Sequence, residues 1–232
     1  MAKEPWYRTA SWTEEDEKRL PGRLKRYKSA YGRAQTLRIK ALSLEQSDDD
    51  ALLPVIERLL RMVIDDPQVQ EDGSSSGMAS ELSMCHHQLA AIHLRRGEND
   101  PAEYHLRQAL ETSSQVLGID LSLASLLSQS DDPEKLKEAE LLLDELSRDS
   151  GQMAFVSAKL GHCVVRARIC LRTERYREAS EFATVALGLD GSAGIDHAKR
   201  DPMDKPLLDE SLRVEMKTIK EEADRRLDAL AE

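Results

Sequence analysis

The chain has 232 residues and a formal net charge of −10; 33% of its residues are charged and only 4% are aromatic. A β-sandwich would need more aromatic and β-branched residues, so the composition favours an all-α protein built on Ala and Leu. The net acidity also argues against binding of free duplex nucleic acid by the body as a whole.

The sequence pattern shows no membrane or export signal. No stretch approaches the ~20 consecutive apolar residues that span a bilayer, and no apolar run follows the first five residues as in a signal peptide. The three cysteines, Cys85, Cys163 and Cys170, are an odd number in a chain far larger than a disulfide-rich miniprotein. We therefore expect reduced thiols and a cytoplasmic protein without membrane contact.

The first helix is predicted to begin at a cap residue, either Ser11 or Thr13, because four acidic residues follow where a helix N-terminus favours anions. This helix would run to about Ala30. Pro21 lies inside it and also allows the alternative of a helix that begins near Leu20.

A second pair of helices is predicted at 33–46 and 49–65 from their apolar stripes. We therefore predict that residues 1–66 form a basic N-terminal helical segment, in which this pair of helices is a degenerate first hairpin. The glycine and serine residues that follow are typical of a flexible surface loop. We therefore predict a flexible linker over 67–79, which would separate this segment from the rest of the chain.

Nine basic residues and no acidic one lie between Lys18 and Lys40. Such a run can hold the N-terminal segment against the acidic body of the same chain, which is the interpretation we favour. It can also bind phosphate or an anionic surface. In that second interpretation, the candidate anion-binding residues are Arg19, Arg23, Lys25, Arg26 and Lys28.

The rest of the chain up to residue 190 is predicted to be helical. The expected helices span 79–96, 100–115, 119–129, 133–148, 152–172 and 175–189. Two of them begin at an Asp-Pro pair, Asp100-Pro101 and Asp132-Pro133, which is a strong start signal. Glycines and prolines predict an irregular loop over 191–206, and a final helix follows over 207–232.

One pattern of small and apolar residues recurs three times between residues 80 and 190. Its clearest copy comprises Leu89, Ala90, His93, Gly97, Ala102, Leu106, Ala109 and Leu110. A second copy comprises Ala167, Cys170, Ala179, Ala183, Ala186 and Leu187, and a fainter one comprises Leu127, Ala139, Leu143 and Leu146. This pattern resembles the tetratricopeptide repeat, a module of two helices that meet at a glycine turn.

The resemblance implies a fold. Tetratricopeptide repeats stack into a right-handed superhelical solenoid of antiparallel helix hairpins, so three hairpins are expected over 80–190, with the final helix as a C-terminal capping helix. The likeness is incomplete. Glu174 replaces the turn glycine of the last hairpin, Arg166 takes a usually apolar position and Ser114 replaces a closing proline.

The N-terminal portion carries a second likeness. The residues concerned are Trp6-Tyr7-Arg8, Trp12, Arg23-Leu24-x-Arg26 and Gln35-x-Leu37-Arg38-Ile39-x-Ala41. This set is similar to the opening of a group of uncharacterised bacterial proteins that contain tetratricopeptide repeats. The likeness implies no activity, but it favours extension of the solenoid over residues 1–66.

The tetratricopeptide resemblance also implies a binding site. In such arrays the first helix of each hairpin lines a concave groove that holds a peptide. Carried onto this chain, the groove residues are His87, Gln88, Ala91, Arg95, Val164, Val165, Arg168 and Arg172. The arginines favour an acidic peptide segment, because a guanidinium pairs with a carboxylate through two hydrogen bonds. The equal alternative is that they form salt bridges with neighbouring repeats.

Histidines and cysteines recur in the sequence without predicting a metal site. The candidates are Cys85, His86, His87, His93, His162, Cys163 and Cys170. They lack the paired spacings of tetrahedral zinc ligands. His86 matches Cys163 within the repeat, and His93 matches Cys170, at positions normally filled by packing residues. We therefore expect buried side chains rather than metal ligands.

Catalytic signals are equally weak. The sequence has no Gly-x-Ser-x-Gly nucleophile motif and no P-loop, and the ionisable cluster at 197–201 is interpreted as a solvated loop. No enzyme activity, metal or cofactor is therefore expected.

These patterns favour a non-catalytic adaptor or scaffold that binds another protein through its concave groove. The alternative is a regulatory or nucleic-acid-associated protein that contacts phosphates through the basic segment 18–40, although the net charge disfavours nucleic acid as a partner. A homodimer formed through Trp6, Tyr7 and Trp12 is a further hypothesis. Its rival is that these aromatic residues simply cover the first hairpin.

Overall fold

The computed structural model describes residues 5–47, 49–72, 75–113, 116, 118–148, 156–193 and 209–231. These residues form α-helices and two short 3-10 helices, Trp6–Arg8 and Asp50–Leu52, and contain no strand. The α-helices are α1 (Glu14–Leu24), α2 (Ala30–Glu45), α3 (Leu53–Ile64), α4 (Pro67–Glu71), α5 (Ser76–Arg95), α6 (Asn99–Thr112), α7 (Ile119–Leu127), α8 (Pro133–Arg148), α9 (Val156–Arg172), α10 (Tyr176–Ala193) and α11 (Glu210–Ala231). The predicted all-α class is confirmed.

The chain divides into two compact units, unit 1 with Met1–Ile119 and unit 2 with Asp120–Glu232. Unit 1 contains α1 to α6, and unit 2 contains nearly all of α7 together with α8 to α11. The boundary therefore lies at the start of α7 and not in the linker predicted over 67–79.

The segment 67–79 is mostly helical, contrary to the predicted flexible linker. It contains α4 and the beginning of α5, while residues 73 and 74 lie outside the described residues. Val69 and Met78 are almost completely buried, in the same apolar cluster as α2, α3 and α5. The glycine and serine content suggested a loop, but these two apolar side chains anchor the segment to the core of unit 1.

The first helix begins where the cap was predicted but ends earlier than expected. The Thr13 hydroxyl accepts a hydrogen bond from the Asp16 N–H at 3.2 Å, and the Asp16 carboxylate accepts one from the Thr13 N–H at 3.2 Å. This capping box fixes the start of α1. The helix ends at Leu24 because a second cap follows closely, where the Ser29 hydroxyl accepts from the Gly32 N–H at 3.1 Å and starts α2.

The two Asp-Pro start signals have different outcomes. Asp132 accepts a hydrogen bond from the Glu134 N–H at 3.0 Å, so it caps α8 as predicted. By contrast, α6 begins at Asn99, one residue before Asp100, and no side chain caps it.

The core of unit 1 is made by apolar faces of α2, α3 and α5 in mutual contact. The predicted stripes of α2 and α3 are buried or half-buried there, and the alanines of the clearest repeat copy are buried as well. The buried side chains include Leu37, Ala41, Leu44, Ile56, Leu59, Leu60, Val63, Leu89, Ala90 and Ala102. Trp6 and Trp12 pack against this cluster, so these two aromatic residues cover the first hairpin.

The core of unit 2 is built on small residues. Ala139 of α8 and Ala179 of α10 are fully buried, as the repeat pattern predicted. The final helix α11 packs against α9 and α10 through Met216, Ile219 and Ala223. The predicted loop over 191–206 begins inside α10, which extends to Ala193; residues 194–208 lie outside the described residues.

The α5–α6 and α9–α10 hairpins share one turn geometry. Gly97 has φ +72° and Glu174 has φ +59°, both in the left-handed region. The following N–H donates to a carbonyl of the preceding helix in each case, from Glu98 to His93 at 2.9 Å and from Arg175 to Cys170 at 2.8 Å. Glu174 therefore adopts the conformation of the glycine that it replaces.

Replacing Glu174 by glycine is expected to stabilise unit 2 by about 0.5–1 kcal/mol. A non-glycine residue in the left-handed region costs about 1–2 kcal/mol, and the greater freedom of glycine in the unfolded chain offsets part of this gain. The matched change Gly97→Ala should destabilise unit 1 by about 1 kcal/mol, since an added Cβ contacts nothing within 4 Å and only the backbone is strained. Urea unfolding of both variants measures the two effects; a loss of stability in Glu174→Gly contradicts the shared turn.

Candidate functional site

The groove residues predicted in unit 1 lie on α5, beside the end of α2. Arg95 pairs with Asp50 at 2.5 Å. Burial raises the pKa of the Glu45 carboxyl, while the nearby Arg95 acts in the opposite direction. Burial also lowers the pKa of His87. These side chains are therefore part of a polar contact between α2 and α5.

The groove residues predicted in unit 2 lie on α9. The Arg168 guanidinium donates to both carboxylate oxygens of Glu215 on α11, at 2.6 and 2.7 Å, and to the Ser125 hydroxyl at 3.3 Å. Arg172 donates to Asp131 at 2.7 Å. All three predicted groove arginines thus have a carboxylate partner in their own unit, which is the salt-bridge alternative of the sequence analysis.

A surface depression of about 200 Å³ lies in unit 2 between α7, α9 and α11. Three of the predicted groove positions line it. Its lining residues are Leu121, Ser125, Ser157, Leu160, Gly161, Val164, Val165, Arg168 and Leu212. The wall is mostly apolar, and hydrogen-bonding side chains among its lining residues come from two serines and the arginine.

Two features of this depression were missed by the sequence analysis. Leu121 and Leu212 come from α7 and α11, far from α9 in the chain, and nothing local in the sequence links them to it. Gly161 brings α9 close to α7, because a Cβ at this position would lie 2.6 Å from Leu121 Cδ2. The glycine on α9 was the one sequence signal that could have indicated this close approach.

Three of the histidines form a buried cluster in the α5–α6 hairpin. His86 Nδ1 lies 3.0 Å from His105 Nδ1, and the His93 and His105 rings stack at 5.4 Å. The pKa of His105 is lowered to about 4, mainly by burial and in addition by the neighbouring His86 and His93. His105 was not singled out from the sequence, because it stands on α6, outside the matched repeat positions.

Most of the histidines and cysteines that the sequence offered as metal ligands are buried side chains. His86, His93, Cys163 and Cys170 are all buried. Burial raises the pKa of the Cys170 thiol to about 11, so this group is a neutral side chain at physiological pH. Within the described ranges, no three His, Cys, Asp or Glu residues are grouped so that they could hold a metal ion.

Six of the nine basic residues between Lys18 and Lys40 are engaged within unit 1. Arg33 and Arg38 pair with acidic residues later in the chain, as the favoured interpretation requires, whereas Lys18, Arg19 and Arg23 pair with acidic residues of α1 itself. Exposed and partly buried ion pairs both occur. The pairs are Lys18–Glu14 at 3.9 Å, Arg19–Glu15 at 2.5 Å, Arg23–Asp16 at 3.0 Å, Arg33–Asp66 at 2.9 Å and Arg38–Glu81 at 2.5 Å.

Lys40 is the most deeply placed of these basic residues, at 0% exposure. Its ammonium donates to the carbonyl oxygens of Thr9 and Ser11, both at 2.8 Å, and to the Thr9 hydroxyl at 2.9 Å. Burial lowers the pKa of Lys40, while the nearby Asp16 raises it. Lys40 therefore holds the N-terminal segment against α2.

The remaining predicted anion-binding residues lie at the surface after α1. Lys25, Arg26 and Lys28 are exposed, and none of them forms an ion pair with another described residue. Arg26 also lines a surface concavity on α1 together with Arg19 and Arg23. The structure thus brings three of the five candidates together.

A scan against models of known protein families gives no match, and a search of curated proteins finds no significant similarity. The tetratricopeptide resemblance therefore stays a prediction that rests on the residues quoted above. No helix in the described part of the chain is both long and apolar enough to cross a membrane.

Proposed function

We propose that the protein is a non-catalytic module of stacked helix hairpins, of the tetratricopeptide type, that binds a peptide segment of another protein. The unit 2 depression is the observation that carries this proposal. Val164, Val165 and Arg168 were assigned to a peptide groove from the tetratricopeptide resemblance, and all three line the depression, where the two valines are buried and form its base. The three cysteines are free thiols, which supports a reducing cytoplasm as the location.

The chemistry of the depression favours an apolar side chain as the central contact. Arg168 already holds Glu215 through two hydrogen bonds and is only 13% exposed. An acidic residue of the partner must therefore compete with an internal carboxylate. Apolar contact with Leu121, Val164 and Leu212 requires no such exchange.

The size of the depression limits the binding free energy that it can provide, and this limit determines how long the ligand must be. Burial of one Leu-sized side chain contributes about 2 kcal/mol, whereas micromolar affinity needs about 8 kcal/mol. The partner segment must therefore make further contacts along α9 on both sides of the depression. A linear peptide with one apolar anchor and flanking polar residues fits these requirements.

A display library of random linear peptides, selected on the full chain, tests this function. Ser157 is exposed in the first turn of α9 and lines the depression, so the indole of Ser157→Trp would fill it without entering the core. We expect the selected peptides to bind this variant about tenfold more weakly.

The matched control is Lys159→Trp. Lys159 is exposed in the same turn of α9 but does not line the depression, so peptide binding should be unchanged. Equal weakening by the two tryptophans, or selection of no peptide by the wild-type chain, contradicts the assignment of the groove.

A further inference from the structure

The exposed side of α1 carries a basic concavity that the proposed peptide groove does not use. It has a volume of about 490 Å³ and is lined by Lys18, Arg19, Gly22, Arg23 and Arg26. Lys18, Arg19 and Arg23 stand at positions −4, −3 and +1 relative to Gly22, which share one side of α1, and Arg26 follows two residues after the end of this helix. Four positive side chains therefore surround a residue without a side chain.

The cations of this concavity differ in how firmly they are held. Lys18 and Arg19 pair with Glu14 and Glu15 on the same helix, and all four side chains are more than half exposed. Such exposed pairs contribute only about 0–1 kcal/mol, so both cations can turn to another anion at little cost.

Arg23 and Arg26 complete the site in two different ways. Arg23 is fixed in place, because it donates to Asp16 at 3.0 Å and lies over the Trp6 ring at 4.6 Å. Arg26 is exposed and has no ion-pair partner among the described residues. The concavity thus combines one positioned guanidinium with cations that are available to a ligand.

Gly22 forms the floor of the concavity, and the fold does not require a glycine there. A Cβ at this position would contact nothing within 4 Å, and the backbone is not in the left-handed region. A glycine within a helix costs about 0.5–1 kcal/mol relative to alanine. What the glycine does provide is an open floor, because no side chain stands between the four cations.

We infer that this concavity is a binding site for an oligophosphate group. Four cations line a concavity of about 490 Å³, which is more positive charge than one phosphate group, with a charge of about −2, would match. Long polyanions fit less well, because the acidic run Glu14–Glu17 begins α1 and the whole chain carries a net charge of −10. A short chain of phosphates matches both the size of the concavity and its confined positive charge.

Titration calorimetry of the full chain with inorganic triphosphate at low salt tests this inference. We expect saturable binding that weakens as salt is added. Arg26→Gln should weaken it about tenfold through loss of a charged hydrogen-bond donor. The matched control is Lys25→Gln, which removes the same charge from an exposed neighbour outside the concavity and should change binding by less than about twofold.

Gly22→Ala separates binding from folding. The added methyl group should raise the thermal midpoint, because alanine favours the helix, and at the same time weaken triphosphate binding by covering the floor. A variant that is both more stable and weaker in binding supports the site.

Three results would overturn the inference. The first is no saturable binding of triphosphate by the wild-type chain. The second is equal weakening by Arg26→Gln and Lys25→Gln, which shows a diffuse surface potential instead of a site. The third is tighter binding of a single-stranded RNA oligomer with a salt dependence of more than about four phosphate contacts, which assigns the surface to nucleic acid.

Discussion

Replacement of Lys40 by methionine is expected to lower the free energy of unfolding of unit 1 by about 3 kcal/mol. Methionine keeps most of the side-chain volume and removes the ammonium. The carbonyl oxygens of Thr9 and Ser11 then lose the donor that they share at 2.8 Å. Because the position is fully buried, water cannot replace the ammonium unless the N-terminal segment moves away from α2.

Urea unfolding followed by tryptophan fluorescence measures this loss. Lys40 Nζ lies 5.6 Å from the centre of the Trp12 ring, so displacement of the segment should also shift the emission of the folded protein to longer wavelength. Lys28→Met is the matched control, because Lys28 is exposed and without a described ion pair, and it should stay within about 0.5 kcal/mol of wild type. If the two methionine variants are equally stable, Lys40 does not hold the segment.

Lowering the pH from 6.5 to 5 is expected to destabilise unit 1 by about 2 kcal/mol through His105 alone. The pKa of His105 is lowered to about 4 in the folded protein, from an ordinary value of 6.5. Between these two values the unfolded chain binds a proton that the folded chain does not. Stability therefore falls as the pH drops through 6.5 and continues to fall until about pH 4.

The largest cause of this acid sensitivity is the burial of the His105 ring, and the neighbouring imidazoles add to it. His86 and His93 contact the His105 ring, and Arg61 adds to the lowering while Glu57 opposes it. Burial lowers the pKa of His86 as well, so that residue acts in the same direction.

Urea unfolding at pH 7, 6 and 5 measures the effect in wild type and in His105→Gln. Glutamine retains a hydrogen-bonding group for His86 but does not titrate. The variant should lose less stability than wild type across this range, and His86 should leave it some pH dependence. Parallel loss of stability in the two proteins contradicts the assignment to His105.

The helices could be predicted because their signals are local. The apolar stripes of α3 and α8 recur at helical spacing, and Thr13 and Asp132 cap helices where their sequence neighbours indicate it. The fully buried alanines Ala139 and Ala179 could be predicted from the repeat pattern.

The features that could not be predicted depend on contacts between distant residues. Composition predicted a linker over 67–79. The role of Val69 and Met78 as core residues becomes visible only when α2, α3 and α5 pack against them. Lys40 belongs to a charged run in the sequence, but in the fold its ammonium is buried and donates to the carbonyl groups of residues 9 and 11.

The residues of the candidate site also divide into those that local sequence signals indicate and those that depend on contacts between distant residues. Val164, Val165 and Arg168 follow from the positions of one helix within a repeat. Leu121 and Leu212 depend on how three helices meet, and Glu215 is seen as the partner of Arg168 only in the folded unit. The sequence therefore indicated one wall of the depression, and the fold supplied the other two.

Methyl NMR of the full chain, titrated with a peptide selected on it, tests the proposed groove most directly. We expect the methyl resonances of Leu121, Val164 and Leu212 to shift and saturate together, while those of Leu59 and Val63 in the core of unit 1 stay in place. Shifts confined to unit 1, or no shift of the three depression residues at saturating peptide, would contradict peptide binding at this site.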